Sequence, residues 1–214
     1  MKIIGIMPIK LQNERLPGKN TMLLGNKPLL QHALDNLLET SLCDEINVYC
    51  SNPSICRFLP NGVTFLQRPD FLDLPTSNFT QIFSSFIKEK DADIYVFMHA
   101  TAPFVTVETM KECIEQVKSG KYDSAFCATI IQDFLWMDNK PLNFDASNLP
   151  RSQDLKPIYR ETSGIYVFTK DVFLKLNRRI GNTPYIKVVS YKEAVDINNP
   201  EDFSLAEALI NLDL

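Results

Sequence analysis

The stretch Lys2–Ile9 (KIIGIMPI) is almost wholly apolar and breaks at once into a polar, basic loop. A strand that is apolar at successive positions must bury both faces. It therefore belongs in a sheet covered by helices on either side, as parallel sheets are. The rest of the chain repeats that demand. Pro28–Glu39 spaces Leu30, Ala33, Leu34, Leu37 and Leu38 at helical intervals. Glu45–Cys50 and Val63–Gln67 read as strands, and Ser77–Lys90 carries Phe79, Ile82, Phe83, Phe86 and Ile87 on one helical face. Asp93–His99 is a further buried strand, Thr106–Val117 a helix with Thr106 as its N-cap, and Ser124–Ile130 another strand. Strand and helix in alternation predict an α/β fold with a parallel sheet and right-handed crossovers.

The alternation lapses over Ile131–Tyr159, which holds Trp136 and several prolines, asparagines and aspartates without a helical period. This stretch is expected to stand outside the main sheet as an arm or flap within one domain spanning 1–214. Order returns at Gly164–Phe168, Pro184–Ser190 and a last helix, Pro200–Leu212, with Asn199 as N-cap and Pro200 at its first position. Asp196 is expected to end a strand just before that helix. The phenylalanine stripe of Ser77–Lys90 reads as core.

The loop Lys10–Asn20 sits at the carboxyl end of the first strand, where open α/β sheets take their ligands. It gathers Lys10, Arg15 and Lys19, with Gly18 free to adopt backbone angles that turn N–H groups toward an anion. Such a loop suits a triphosphate, though a solvated basic turn has the same composition, and neither GxxxxGK[ST] nor GxGxxG occurs. The net charge of −4 argues against a nucleic-acid partner, so the positive charge has a local purpose. Five cysteines without a CxxC pair, beside only two histidines, give little basis for a zinc site and suit a reduced, cytoplasmic setting. No apolar run is long enough for a membrane span, and the N-terminus does not read as a signal peptide.

Leu16-Pro17-Gly18-Lys19-Asn20 followed by Leu24-Gly25-Asn26-Lys27-Pro28-Leu29 resembles the opening of the acylneuraminate and related 3-deoxy sugar acid cytidylyltransferases. The likeness continues in order through Arg68-Pro69, His99-Ala100-Thr101-Ala102-Pro103, Gln153-Asp154-Leu155, Tyr159-Arg160, Gly164-Ile165-Tyr166 and Val195-Asp196-Ile197-Asn198. The resemblance implies a Rossmann-like, mainly parallel sheet flanked by helices. It also implies a homodimer in which Ile131–Tyr159 begins the dimerisation arm. The implied reaction uses CTP as donor, Mg²⁺ as cofactor and a small acidic sugar as acceptor, whose hydroxyl attacks the α-phosphorus and releases pyrophosphate.

The same resemblance distributes roles. Lys19 and Lys10 hold triphosphate oxygens, and Arg160 meets a phosphate or the acceptor carboxylate; these three are the catalytic candidates. Asn13, Arg15, Asn20 and Ser77 join Lys10 and Lys19 on the nucleotide side. His99, Thr101, Gln153, Arg160 and Tyr166 fall on the acceptor side, and Asp196 with Asn198 is the candidate metal pair. The sequence departs from the family pattern at Lys10, which stands for an arginine, His99 for a glutamine and Asn198 for an aspartate, and again at Cys50-Ser51-Asn52-Pro53 and Pro75-Thr76-Ser77. They keep two alternatives open: a cytidylyltransferase for another small acidic or phosphorylated acceptor, and a CTP-binding domain without turnover.

Overall fold

A computed structural model describes residues 1–212; Asp213 and Leu214, the end of the expected 1–214 unit, lie outside the described residues. The chain runs β1 (Ile3–Ile9), a small hairpin of β2 (Leu23–Leu24) and β3 (Lys27–Pro28), α1 (Leu29–Thr40), β4 (Glu45–Cys50) and β5 (Val63–Gln67). It continues through α2 (Phe79–Glu89), β6 (Ile94–Met98), α3 (Val107–Lys118) and β7 (Ser124–Ile131). A second hairpin, β8 (Trp136–Met137) and β9 (Lys140–Pro141), precedes β10 (Ile158–Thr169), α4 (Lys170–Leu176), β11 (Pro184–Val188) and α5 (Pro200–Asn211).

Seven strands form one sheet in the order β11-β7-β10-β6-β1-β4-β5. All neighbours are parallel except β10, which runs antiparallel to both β6 and β7. The sheet is therefore mainly parallel, with one reversed strand inserted between the two halves of the alternating series. The expected strand Gly164–Phe168 is the buried end of β10. Its other end, where Tyr159, Arg160 and Glu161 are exposed, pairs with β7 but has no apolar face to announce it. Helix α4 spans only seven residues, too few for a legible period, and is fixed by Thr169, whose hydroxyl accepts the Val172 N–H.

Side-chain alternation along β1 divides the core in two. Ile3, Met7 and Ile9 face α1 and α3, meeting Leu30, Leu34, Met110 and Ile114. Ile4 and Ile6 face the other side, where Phe83 and Phe86 of α2 meet Tyr95, Phe168 and Phe173. The Phe83 ring lies 4.6–5.0 Å by centroid from Phe173, Tyr95 and Phe168, in edge-on arrangements that suit aromatic quadrupoles. Phe83 and Phe86 are core, as the stripe predicts, while Phe79 is half-buried and packs edge-on to Phe97.

Thr106 caps α3, Asn78 caps α2 through a reciprocal box with Gln81, and Asn199 caps α5 through the same device with Asp202. A third, smaller core cluster of Leu24, Leu29, Ile197, Phe203 and Ala206 docks α5 beneath the first loop. That docking brings the far end of the chain to the carboxyl edge of β1.

Candidate active site

The loop after β1 is stitched from within. Gly18 sits at φ +70°, in the left-handed region, and opens a single 3₁₀ turn over Lys19–Thr21. The Lys19 N–H donates to the Leu16 carbonyl at 3.2 Å, and the Thr21 hydroxyl donates to the Gly18 carbonyl at 3.0 Å. Asn20 reaches back with Nδ2 to the Lys10 carbonyl at 2.9 Å, so one end of the loop holds the other. The amide of Asn20 is thus spent on loop shape.

Two contacts join this loop to the segment before α5. Lys19 Nζ donates to the Ile197 carbonyl at 2.8 Å, and Arg15 donates to Asn198 Oδ1 at 2.8 Å. The Val195–Asn198 segment belongs to no strand, and the Ile197 N–H donates to the Thr101 carbonyl at 2.8 Å. Asp196 therefore does not end a strand; it stands on this pinned segment, because Ile197 is buried and anchors it. Asn198 Nδ2 donates to Asp196 Oδ2 at 2.8 Å, while Asp196 Oδ1 is buried and has no protein partner.

Lys19 is only 8% exposed, and burial lowers its pKa below the usual lysine range. The Asp196 charge opposes that shift and Arg15 adds to it. A cation and a carboxylate from opposite ends of the chain therefore share one partly dry site. There each charge acts more strongly on an incoming ligand than it would in water.

An orphaned carboxylate oxygen suits a hard divalent cation, which binds through one or two carboxylates and completes its shell with phosphate oxygens and water. Asp196 fits that part. Asn198 fits less directly, since its amide oxygen is engaged by Arg15 and its amide nitrogen by Asp196. Among the described residues, no three Asp, Glu, His or Cys side chains converge as a closed metal cluster.

Lys10, Asn13, Arg15, Lys19 and Asn198 line one cavity of about 290 Å³. Within it the Asn13 Oδ1 is buried without a partner. Lys10 also lines a neighbouring cavity of about 380 Å³ that contains Ser77 and His99. Tyr166 is buried beside His99, their ring centroids 6.3 Å apart, and its hydroxyl donates to Glu161 and lies 3.2 Å from the Thr162 carbonyl. The His99 Nε2 has no partner, and burial, reinforced by Arg179, lowers the imidazole to about pKa 4. It is neutral near pH 7.

Six expected residues lie apart from these two linings: Asn20, Tyr166 and Asp196, placed above, and Thr101, Gln153 and Arg160. Thr101 contributes its carbonyl to Ile197. Gln153 is exposed on a 3₁₀ turn, its carbonyl accepting from Gln132 Nε2 at 2.9 Å. Arg160 is exposed on β10, with Nε donating to Thr129 Oγ1 at 3.1 Å. Conversely, Arg68 and Arg179 line the larger cavity although sequence reasoning assigns neither to the site. Arg68 is buried and paired with Asp73. It carries part of the family resemblance with its neighbour Pro69, which is the signal available; Arg179 follows a short helix and has none.

The family described as Cytidylyltransferase matches residues 4–213. The CMP-N,N'-diacetyllegionaminic acid synthase of Legionella pneumophila is 26% identical over 227 residues, covering 99% of this chain and 97% of that one. An N-acylneuraminate cytidylyltransferase of Streptococcus agalactiae is 24% identical over 95% of this chain, which spans only 52% of that longer protein. Among solved structures, CMP:2-keto-3-deoxy-manno-octonic acid synthetase complexed with CTP superposes over the full length of both chains, with a TM-score of 0.73 at 15% identity. That likeness bears on the fold.

Proposed function

This chain belongs to the cytidylyltransferase family, and we propose that it transfers the cytidylyl group of CTP to a hydroxyl of a sugar acid, an acylneuraminate or related nonulosonate. The acceptor oxygen bonds to the α-phosphorus, the bond to the β-phosphate bridge breaks, and pyrophosphate leaves as the hydroxyl proton is lost. The observation that carries this reading is the meeting of the basic loop with Asp196 through the Lys19–Ile197 and Arg15–Asn198 contacts. The relatives that span nearly the whole chain are named for sugar-acid acceptors.

In this reading Lys19 and Lys10 hold the triphosphate while charge builds on its oxygens, and Arg15, Asn13 and Ser77 help to seat the nucleotide. The loop backbone that carries both lysines is fixed by Gly18 and Asn20. His99, Tyr166 and Thr101 shape the acceptor side. Arg160 and Gln153 would reach an anion only from the arm side of β10. Asp196 would hold Mg²⁺, with Asn198 joining if its amide turns; the ion would screen phosphate charge and favour the leaving pyrophosphate.

Of the expected arm 131–159, Ile131, Ile158 and Tyr159 belong to β7 and β10 of the main sheet, and residues 132–157 between them fit an arm that rests on a second copy of the chain, within a single 1–214 domain. Trp136, Met137, Leu142 and Leu149 are exposed there, each at least 50%. The Phe134 and Trp136 rings pack on Phe144 at 4.9 and 5.6 Å, so the hairpin presents a shaped apolar face.

The direct test is pyrophosphate release from CTP and Mg²⁺ with a panel of N-acetylneuraminate, other nonulosonates, 3-deoxy-manno-octulosonate and phosphorylated small metabolites. Turnover with one sugar acid, lost in Asp196→Ala, is the expected result. Turnover confined to a phosphorylated metabolite would overturn the acceptor class. CTP binding without release in every case would favour the binding-only reading, whose motive is the engaged Asn198 amide.

A further inference from the structure

The cavity beside His99 contains a cation to which the proposed reaction has so far given no task. Its apolar wall includes Leu72, Phe79, Ile82 and Phe97, and its charged lining residues are Lys10, Arg68 and Arg179. Arg68 is committed to Asp73, and Lys10 also faces the nucleotide loop. Arg179 is different. Its guanidinium carbon lies 3.6 Å from the Tyr166 ring centroid and 5.5 Å from that of Phe79. Its hydrogen bond is a long one, 3.4 Å from an amino nitrogen to Glu161 Oε1, an oxygen that already accepts the Tyr166 hydroxyl. Among the described residues, that is the only hydrogen bond this guanidinium makes.

A guanidinium has five donors in a rigid plane. Here the plane is set by stacking on Tyr166, which is itself buried in β10, while one shared carboxylate oxygen engages a single edge. The unused donors belong to a residue that lines the cavity and is about a quarter exposed, so they remain open to a ligand. Such a fork, held in advance, matches a carboxylate in bidentate geometry and loses little side-chain freedom on binding.

Resting on the sugar-acid reading, we propose that Arg179 takes the acceptor's carboxylate and seats the sugar acid in this cavity. Lys10 is the wall shared with the nucleotide loop, so an acceptor held at Arg179 presents its other end toward the phosphates. Arg160, the family-suggested alternative, is tied to Thr129 and lies outside the lining. Arg179 is thus an acceptor-specificity residue. The neutral His99 beside it adds no charge of its own at pH 7.

The test uses the full chain, CTP and the acid that turns over best, together with the methyl ester of that acid. In the unaltered protein the ester loses about 10- to 100-fold in kcat/KM, the range expected for hydrogen bonds to a charged group. Arg179→Met raises the KM for the acid by a similar factor, leaves the KM for CTP unchanged, and no longer separates acid from ester. Arg179→Lys, which keeps the charge and serves if the methionine variant folds poorly, recovers part of the acid affinity. An Arg179→Met enzyme that still prefers acid to ester, or an unchanged acid KM in both variants, overturns the proposal while leaving the sugar-acid reading intact. Failure of every acid with the unaltered protein removes that reading and this inference with it.

Discussion

Half-buried, with its Nε2 atom buried and without a partner, His99 makes the stability of this protein depend on pH in a calculable way. Its imidazole has no hydrogen-bond partner at Nε2 and packs against the Phe97 ring at 5.3 Å and Tyr166 at 6.3 Å. Burial is the main cause of its lowered pKa, and Arg179 and Lys19 push the same way, with Asp196 opposing them. The folded state therefore binds the proton only near pH 4, whereas the unfolded chain binds it near 6.5. Because the folded pKa is the lower one, the contribution is present in full above 6.5 and is lost as pH falls toward 4. Linkage with those two values gives a loss of about 2 kcal/mol between pH 7 and pH 5, approaching about 3 kcal/mol near pH 4. The former corresponds to a fall in Tm of about 4–8 °C for a chain of this size.

The assay is urea unfolding at pH 7 and pH 5 in metal-free buffer, for the unaltered protein and for His99→Gln. Other groups titrate in both proteins, so the quantity of interest is the difference between their pH slopes. Loss of about 2 kcal/mol of pH dependence on substitution is expected. Parallel curves would refute the reasoning, since they would mean that the folded imidazole accepts its proton as readily as the unfolded one.

The loop and the arm each give a further expected outcome. Gly18→Ala places a Cβ at φ +70° with no neighbouring atom within 4 Å to clash, so the cost is conformational alone, about 1–2 kcal/mol. It should lower Tm and raise the KM for CTP together, and an unchanged KM would show that the turn does not set the nucleotide loop. Trp136→Glu puts a charge on the exposed face of the β8–β9 hairpin, and light scattering should show dimer giving way to monomer with little change in Tm. A dimer that survives the substitution would place the contact elsewhere.

Much of this fold is legible in the sequence because burial on both faces leaves its mark residue by residue. The buried strand β4 spans the residues expected of it, as does the more exposed edge strand β5, and the caps Thr106 and Asn199 stand where polar residues meet helical periods. The reversed strand is half hidden for the complementary reason. Ile158–Glu161 pairs through its backbone with β7 while its side chains stay largely in solvent, and a strand that buries no side chain leaves no period to read. Among the site residues, the Lys10–Asn20 loop can be read because its cations are close together in sequence and interrupted by a glycine at a turn.

Arg179 shows where that kind of reading stops. Its significance lies in the ring beneath it, Tyr166, and in the carboxylate beside it, Glu161; both come from the reversed strand β10, across the short helix α4. No spacing rule links these positions, because the contact arises from the register of β10 between β6 and β7. Tyr166 lies opposite Phe97 in that register, which brings its ring beside His99 and gives Arg179 a surface to lie on. Moving the strand by one residue would turn Tyr166 to the opposite face of the sheet and leave the guanidinium without support. The acceptor side of the site is therefore a consequence of strand pairing, and Arg179 can serve it only while β10 holds that register.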